Sequence, residues 1–361
     1  MADSATPRQL GYRMPAEWER HEATWLAWPQ NRTDWPGKFE PIPWVYADIV
    51  RHLAPVETVN IIVRDSSVKS KARDVLNKSG ADLKRVKFHL WPTNRGWTRD
   101  SGPIFVRRPE GPDPIATTNW CFNAWAKYPD SRHDRKLPRL IADKLKLKQF
   151  TPTVERKSQA KPYHVVLEGG SIDVNGQGLM LTTEECLLSK VQQRNPGLSR
   201  EDMEKIFADY LGVEKVIWLG CGIAGDDTHG HVDDVARFVA PDTVVTLLEL
   251  NKQDANYEPL QENVRRLRAA TDLEGRRLRV VELPLPRPQI FEKRRLPASY
   301  ANFYIANGMV LVPTFNDPND RVALNILAGL FPRHEVVGIH CGDFIWGLGA
   351  IHCATQQQPG E

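Results

Sequence analysis

The feature that most constrains this chain is a spacing. Two Asn-Gly pairs, Asn175–Gly176 and Asn307–Gly308, stand between runs of β-forming residues at 171–183 and 302–315. Asn-Gly in that setting is the strongest short hairpin signal, because both residues accept the positive φ of a tight turn. A third hairpin is expected at 231–250, turning at Pro241–Asp242, and a fourth at 102–120, turning near Glu110–Gly111. The turns therefore fall near residues 110, 175, 241 and 307, about 66 residues apart each time. A fixed period of this size marks a repeated supersecondary unit.

The segment after each hairpin repeats as well. After the second, Ser199 is a candidate N-cap with Asp202 three residues on. Met203, Ile206, Phe207 and Tyr210 form one apolar stripe, and Gly212 is a stop signal. A strand comes next at 213–220. Helix and strand recur at 258–272 and 278–285, and again at 320–331 and 335–340. The unit is hairpin, helix, strand. Residues 57–63, 66–79 and 86–90 supply a strand, a helix and a strand with no hairpin before them. The missing strands are available far apart, at 23–29 and in the segment containing Cys353. Pairing them would complete a fifth unit and close a ring, which removes exposed sheet edges. The expectation is an α/β ring of five units forming a single domain over 1–361.

Composition excludes some partners. Net charge is +3 with 26% charged residues, so no basic face of the kind that grips nucleic acid is expected. The densest basic stretch, 136–148, reads as a surface helix with Leu137, Leu140, Ile141 and Leu145 inward. The first residues carry no apolar signal region, and no run approaches the roughly 18 apolar residues of a membrane span. A cytoplasmic protein with no membrane partner is expected. The five cysteines (121, 186, 221, 341 and 353) are widely spread and are expected to be free thiols.

Polar residues cluster just before or within the first strand of each hairpin. They are Asp100, Glu168, His231 with Asp233, Asn302 and Cys353. If the units are related by rotation, these positions converge in one pocket. His231 and Asp233, two apart on the expected strand, would look the same way. Trp97 stands three residues before Asp100, and glycines, Gly349 among them, permit close backbone approach. Each residue alone has an ordinary reading: a turn former, a strand end, a structural histidine, a small buried thiol. Their coincidence at one periodic position is harder to read that way.

At these residues the chain resembles the agmatine deiminases and the bacterial peptidyl-arginine deiminases of the guanidino-group-modifying superfamily. The segments that carry the resemblance include GYRMPAEWERHEATWLAWP, WTRDSGP, FNAW, LEGGSI, GHVDD, ASYANFYIANG and IHCATQQQP, in order along nearly the whole chain. The resemblance implies a five-bladed α/β propeller (a pentein) with pseudo-fivefold symmetry. It implies hydrolysis of a guanidinium to a ureido group plus ammonia, with agmatine giving N-carbamoylputrescine. It implies Cys353 as nucleophile, His231 as general acid and base, Asp100 and Asp233 as guanidinium clamps, and Glu168 beside the histidine. Trp97, Asn302 and Gly349 are candidate substrate contacts.

These residue types suit that chemistry. A planar, cationic guanidinium is held by opposed carboxylates through paired, charge-assisted hydrogen bonds. A thiolate can attack its carbon, forming an amidino-Cys intermediate that water, activated by the histidine, then hydrolyses. Neither metal nor cofactor is called for. The expected partners are a small guanidino substrate and water, with a homodimer as a candidate assembly. Some loops depart from the agmatine deiminase pattern, notably GDDTHGH before Val232 and GLGA before Ile351. Free arginine and peptidyl-arginine therefore remain alternative substrates. Two rivals differ in kind: a metal-dependent ureohydrolase using His229, His231 and Asp233, and a propeller that only binds.

Overall fold

The computed structural model describes residues 5–156 and 161–360. Five small sheets repeat one pattern. In four of them the first two strands form an antiparallel hairpin and the third lies parallel to the second. They are Ile104–Arg107, Ile115–Thr118 and Lys148–Phe150; Asp173–Val174, Leu179–Thr183 and Lys215–Leu219; Ala236–Ala240, Thr243–Leu248 and Arg279–Pro284; and Tyr304–Ala306, Met309–Thr314 and Glu335–His340. A helix joins the second strand to the third in each, because parallel strands need a crossover. These helices are Leu137–Leu145, Arg200–Leu211, Tyr257–Ala269 and Pro318–Leu330.

The fifth sheet joins distant parts of the chain. Thr355–Pro359 pairs antiparallel with His21–Ala27, which pairs parallel with Thr58–Val63, and that with Val86–Leu90. It thus repeats the pattern and adds one parallel strand. Its crossover is Ile42–Leu53, a helix that the spacing of hairpins had not located. Ser66–Ser79 joins the two added strands. Strand 355–359 is fully buried although it carries three glutamines. Two of the amides meet specific partners: Trp25 Nε1 donates to Gln358 Oε1 at 3.0 Å, and Arg99 Nη1 donates to Gln357 Oε1 at 2.5 Å.

Local chemistry explains where the helices begin and end. Ser199 and Asp202 form a reciprocal capping box before Arg200–Leu211, and Gly212 closes that helix with φ +68°. Asp317 and Asp320 do the same before Pro318–Leu330. Each such cap is worth about 1 kcal/mol. Met203, Ile206, Phe207 and Leu211 are buried with Met180 and Trp218 of the adjoining sheet, so the helix's apolar stripe covers one sheet face. Among the described residues no helix is long and apolar enough to cross a membrane.

Candidate active site

The expected site residues lie in short helical turns that lead into the strands. Asp100 sits in Thr98–Ser101, Glu168 immediately precedes Gly169–Ser171, His231 immediately precedes Val232–Asp234, and Cys353 sits in Ile351–Ala354. This corrects the expectation that His231 and Asp233 share one face of a strand. Asp226 Oδ2 accepts from the backbone N–H groups of Gly230 (2.6 Å) and His231 (3.2 Å), and His229 and Gly230 take positive φ. The chain is thereby turned, and the strand begins only at Ala236. Cys353 likewise precedes its strand by two residues.

His231 is the centre of the cluster and is fully buried. Its Nδ1 lies 3.8 Å from Asp100 Oδ1 and 3.9 Å from Asp233 Oδ1, and its Nε2 lies 3.7 Å from Glu168 Oε2. These separations exceed a hydrogen bond. Among the described residues, both His231 nitrogens, Asp233 Oδ1 and Glu168 Oε2 lack a hydrogen-bond partner. Buried polar atoms are normally paired, so four orphans in one place mark room for a ligand's donors or for water. Burial alone would discharge His231; Asp100, then Cys186 and Glu168, outweigh it and hold the imidazole's pKa well above its usual range. Burial would also raise Glu168, but Arg194 (Nε to Oε1, 3.1 Å) and His231 pull it down to about 2.

Asp100 is fixed at both oxygens. Trp125 Nε1 donates to Oδ2 at 2.9 Å and the Gly170 N–H to Oδ1 at 3.0 Å. Trp125 reaches it from three consecutive non-glycine residues with positive φ, Ala124 to Ala126 (52°, 59° and 52°). That backbone costs of order 1–2 kcal/mol per residue. Burial pushes the Asp100 acid up to about 6, with Asp233 and Glu168 adding to it, against the pull of His231.

Asp233 is fixed from the opposite side. His352 Nδ1 meets its Oδ2 at 2.7 Å, and His352 Nε2 meets Glu17 Oε2 at 2.8 Å. Glu17 is anchored by Arg99 at 3.1 Å and Arg237 at 2.9 Å. Burial would raise Asp233, but His352 and then His231 outweigh it and lower its pKa. Cys353 Sγ lies 3.7 Å from Asp233 Oδ2 and accepts from Asn302 Nδ2 at 3.2 Å. Burial, then Asp233, Asp234 and Asp100, push the thiol's pKa well above its usual value.

A cavity of about 400 Å³ opens onto this cluster, with Trp97, Asp100, Trp125, Gly349 and Cys353 in its wall. A Cβ at Gly349 would stand 2.9 Å from the Trp97 ring and 3.1 Å from Cys353 Cβ, so glycine permits the close approach of Cys353 and Trp97. Asn302 does not line the cavity. It ties Cys353 to Asp234 (Nδ2 to Oδ1, 2.9 Å) and accepts from the His352 N–H at 3.0 Å. Sequence reasoning assigned no role to Glu17, Trp125, Cys186, Arg194 or His352, although Glu17, Trp125 and His352 lie in segments that carry the family resemblance. His229 stands apart from His231 and Asp233: its Nε2 meets Ser189 Oγ at 3.2 Å and its Nδ1 lies 3.7 Å from Glu185. Among the described residues the trio considered for a ureohydrolase is not assembled, since the His229 ring meets Ser189 and Glu185 instead. Two other groups of side chains, Glu168–Cys186–His231 and Asp233–Asp234–Cys353, are close enough to share an ion.

Residues 13–359 match the family model of the Porphyromonas-type peptidyl-arginine deiminases. The chain belongs to that family. Among curated relatives, this deiminase is 35% identical to the agmatine deiminase of Pseudomonas aeruginosa, over 99% of this chain and 98% of that one. It is 36% identical to a putative agmatine deiminase of Legionella pneumophila, over 99% and 97%. Among solved structures it resembles the agmatine deiminase of Enterococcus faecalis, with TM-score 0.87 and 34% identity over 99% and 98% of the two chains. It also resembles a cysteine-to-serine variant of a C. jejuni agmatine deiminase with substrate bound, with TM-score 0.83 and 30% identity over 96% of each. The mixed α/β fold and the status of the deiminase as an enzyme acting on a guanidino substrate are established by these likenesses.

Proposed function

We propose that this deiminase hydrolyses agmatine to N-carbamoylputrescine and ammonia through a covalent intermediate on Cys353. The observation that carries the reading is the pair of unpaired carboxylate oxygens beside buried His231, Asp233 Oδ1 and Glu168 Oε2, next to a cavity whose wall holds Asp100 and the Cys353 thiol. Asp100 and Asp233 are the guanidinium clamps. Asp233 is braced at Oδ2 by His352 and leaves Oδ1 unpaired beside His231, while Asp100 is held at Oδ2 by Trp125 and at Oδ1, the oxygen nearest His231, by the Gly170 N–H. Charge-assisted hydrogen bonds of this kind are worth about 1.5–3 kcal/mol each.

The electrostatics assign the order of events. Burial, with the neighbouring carboxylates adding to it, holds the thiol protonated. An arriving guanidinium offsets that negative charge and favours loss of the thiol proton to solvent water. The thiolate attacks the guanidinium carbon. Protonated His231 passes its proton to the departing nitrogen, which leaves as ammonia, and a cationic amidino-Cys remains. Neutral His231 then takes a proton from water as the oxygen attacks. Collapse expels the thiolate, which regains its proton from solvent, and releases the ureido product as the tetrahedral hydroxyl gives its proton to ammonia. Trp97 and Gly349 shape the wall beside the sulfur, and Glu168 holds His231 in place.

The five sheets are read as blades of one ring, a five-bladed α/β propeller with pseudo-fivefold symmetry in a single domain. The repeated strand order and the recurring helical turn before it support that reading. A cytoplasmic setting fits the sequence. The test is incubation with agmatine and assay of ammonia and N-carbamoylputrescine. Acid quenching should trap an amidine adduct on Cys353 detectable by mass spectrometry, and Cys353→Ser should abolish turnover. Urea as product, or normal turnover by Cys353→Ser, would overturn the mechanism.

A further inference from the structure

Besides Asp100, the cavity wall contains two carboxylates, Asp227 and Asp34, and they differ sharply in how they are satisfied. Asp227 is saturated: Oδ1 accepts from Lys127 Nζ (2.5 Å) and Arg294 Nη2 (2.9 Å), and Oδ2 accepts from Tyr128 Oη (2.5 Å). Asp34 is not. Its Oδ1 pairs with Arg95 Nη1 and lies 3.4 Å from Asn31 Nδ2, while Oδ2 is buried with no hydrogen-bond partner among the described residues. Its side chain is only 1% exposed. Burial pushes the acid up to about 7 in spite of Arg95. A buried carboxylate oxygen in that condition lacks a donor, and a cation is the donor that would most relieve it.

Aromatic packing links this carboxylate to the Cys353 thiol, with Trp97 on the cavity wall and Trp35 buried behind it. Trp35, the next residue, packs on Trp97 with ring centroids 5.4 Å apart, and Trp97 and Cys353 flank Gly349. An alkyl chain lying along that wall would have its guanidinium at Asp100 and Cys353 and its far end toward Asp34. The two arginines of the cavity wall are committed to acids: Arg95 to Asp34 and Asp130, and Arg294 to Asp227.

Resting on the deiminase reading above, we propose that Asp34 receives the terminal ammonium of the substrate, so that the site selects guanidinoalkylamines, cationic at both ends, over uncharged-tail guanidines and over amino acids. Asp34 is then a specificity residue that touches the substrate's non-reacting end.

The test compares wild type, Asp34→Asn, Asp34→Glu and Asp227→Asn on agmatine, butylguanidine and free arginine, reading kcat/KM. Agmatine should be favoured over both others by the wild type. In Asp34→Asn the agmatine-to-butylguanidine preference should fall by about 10- to 100-fold, mainly through KM, as expected for loss of a charge-assisted contact. Asp34→Glu should recover part of it. Equal loss on agmatine and butylguanidine would make Asp34 merely structural and overturn the proposal. So would an unchanged preference, selective loss in Asp227→Asn instead, or a wild type that prefers arginine. A wild type that turns over none of the three sinks the deiminase reading and this inference together; turnover of butylguanidine with an indifferent Asp34→Asn sinks this inference alone.

Discussion

Gly170→Ala puts one methyl group where the site has no room for it. A Cβ built at Gly170 would stand 2.7 Å from His231 Nδ1, 2.8 Å from Asp100 Oδ1 and 3.0 Å from Asp233 Oδ2. Ordinary contacts of carbon with nitrogen or oxygen lie several tenths of an ångström further out, so all three neighbours must yield at once. None is free to do so. Asp100 is held by Trp125 and by the Gly170 N–H itself, Asp233 by His352, and His231 is fully buried. The strain therefore falls on the reacting groups. Overpacking of this kind costs about 1–3 kcal/mol of stability, a fall in Tm of several degrees. A displacement approaching 1 Å costs about 100-fold in rate. Thermal melts and kcat on agmatine read the two effects separately. Gly329→Ala is the control: Gly329 lies in helix Pro318–Leu330 with nothing within 4 Å of a built Cβ, and alanine there should be neutral or stabilising by up to about 1 kcal/mol. A Gly170→Ala protein with wild-type kcat and wild-type Tm would refute the packing argument outright.

Two further outcomes are expected from the charges. His352→Asn removes a group that bridges Asp233 to Glu17 at 2.7 and 2.8 Å, leaving two buried carboxylates without their shared partner. Stability should drop by about 3–5 kcal/mol and kcat should fall more than KM rises; a selective rise in KM would show that His352 does not position the clamp. The acid limb of kcat/KM should lie near pH 6, because burial raises the Asp100 acid to about 6 and the ionised form binds guanidinium. A bound cation favours the carboxylate, so the acid limb of kcat should lie at lower pH than that of kcat/KM. A limb that moves upward on binding would contradict the clamp role.

The repeat was legible because it is written in local chemistry. Asn-Gly turns, capping residues and alternating β-branched runs each act over a few positions, and four hairpins with their helices emerged from them. The pairing of strand 355–359 with His21–Ala27 was also within reach, since a ring with one incomplete unit needs it. The misreading of 231–235 has a specific cause. HVDDVARFV carries strand alternation, but Asp226 captures two backbone N–H groups and forces a turn, a capture with no sequence signature. Glu17 and Trp125 lie in segments that carry the family resemblance, but their roles went unread for a similar reason. Glu17 acts on His352 across 335 positions of chain, and Trp125 reaches Asp100 through a left-handed backbone that its residue types do not advertise.

The sheet that unites His21–Ala27 with Thr355–Pro359 also sets when activity can exist. During synthesis, strand 21–27 emerges early and its antiparallel neighbour emerges more than three hundred residues later. Until then one flank of an apolar strand, with Trp25, Leu26 and Ala27 destined for complete burial, is open to pairing with other chains. Chaperone demand should therefore concentrate in that interval. On the proposed mechanism, a nascent or clipped chain that lacks Cys353 and the strand after it has neither the partner of His21–Ala27 nor the reactive thiol. Half-made molecules are consequently inert, and catalysis begins in the same event that removes the sticky edge.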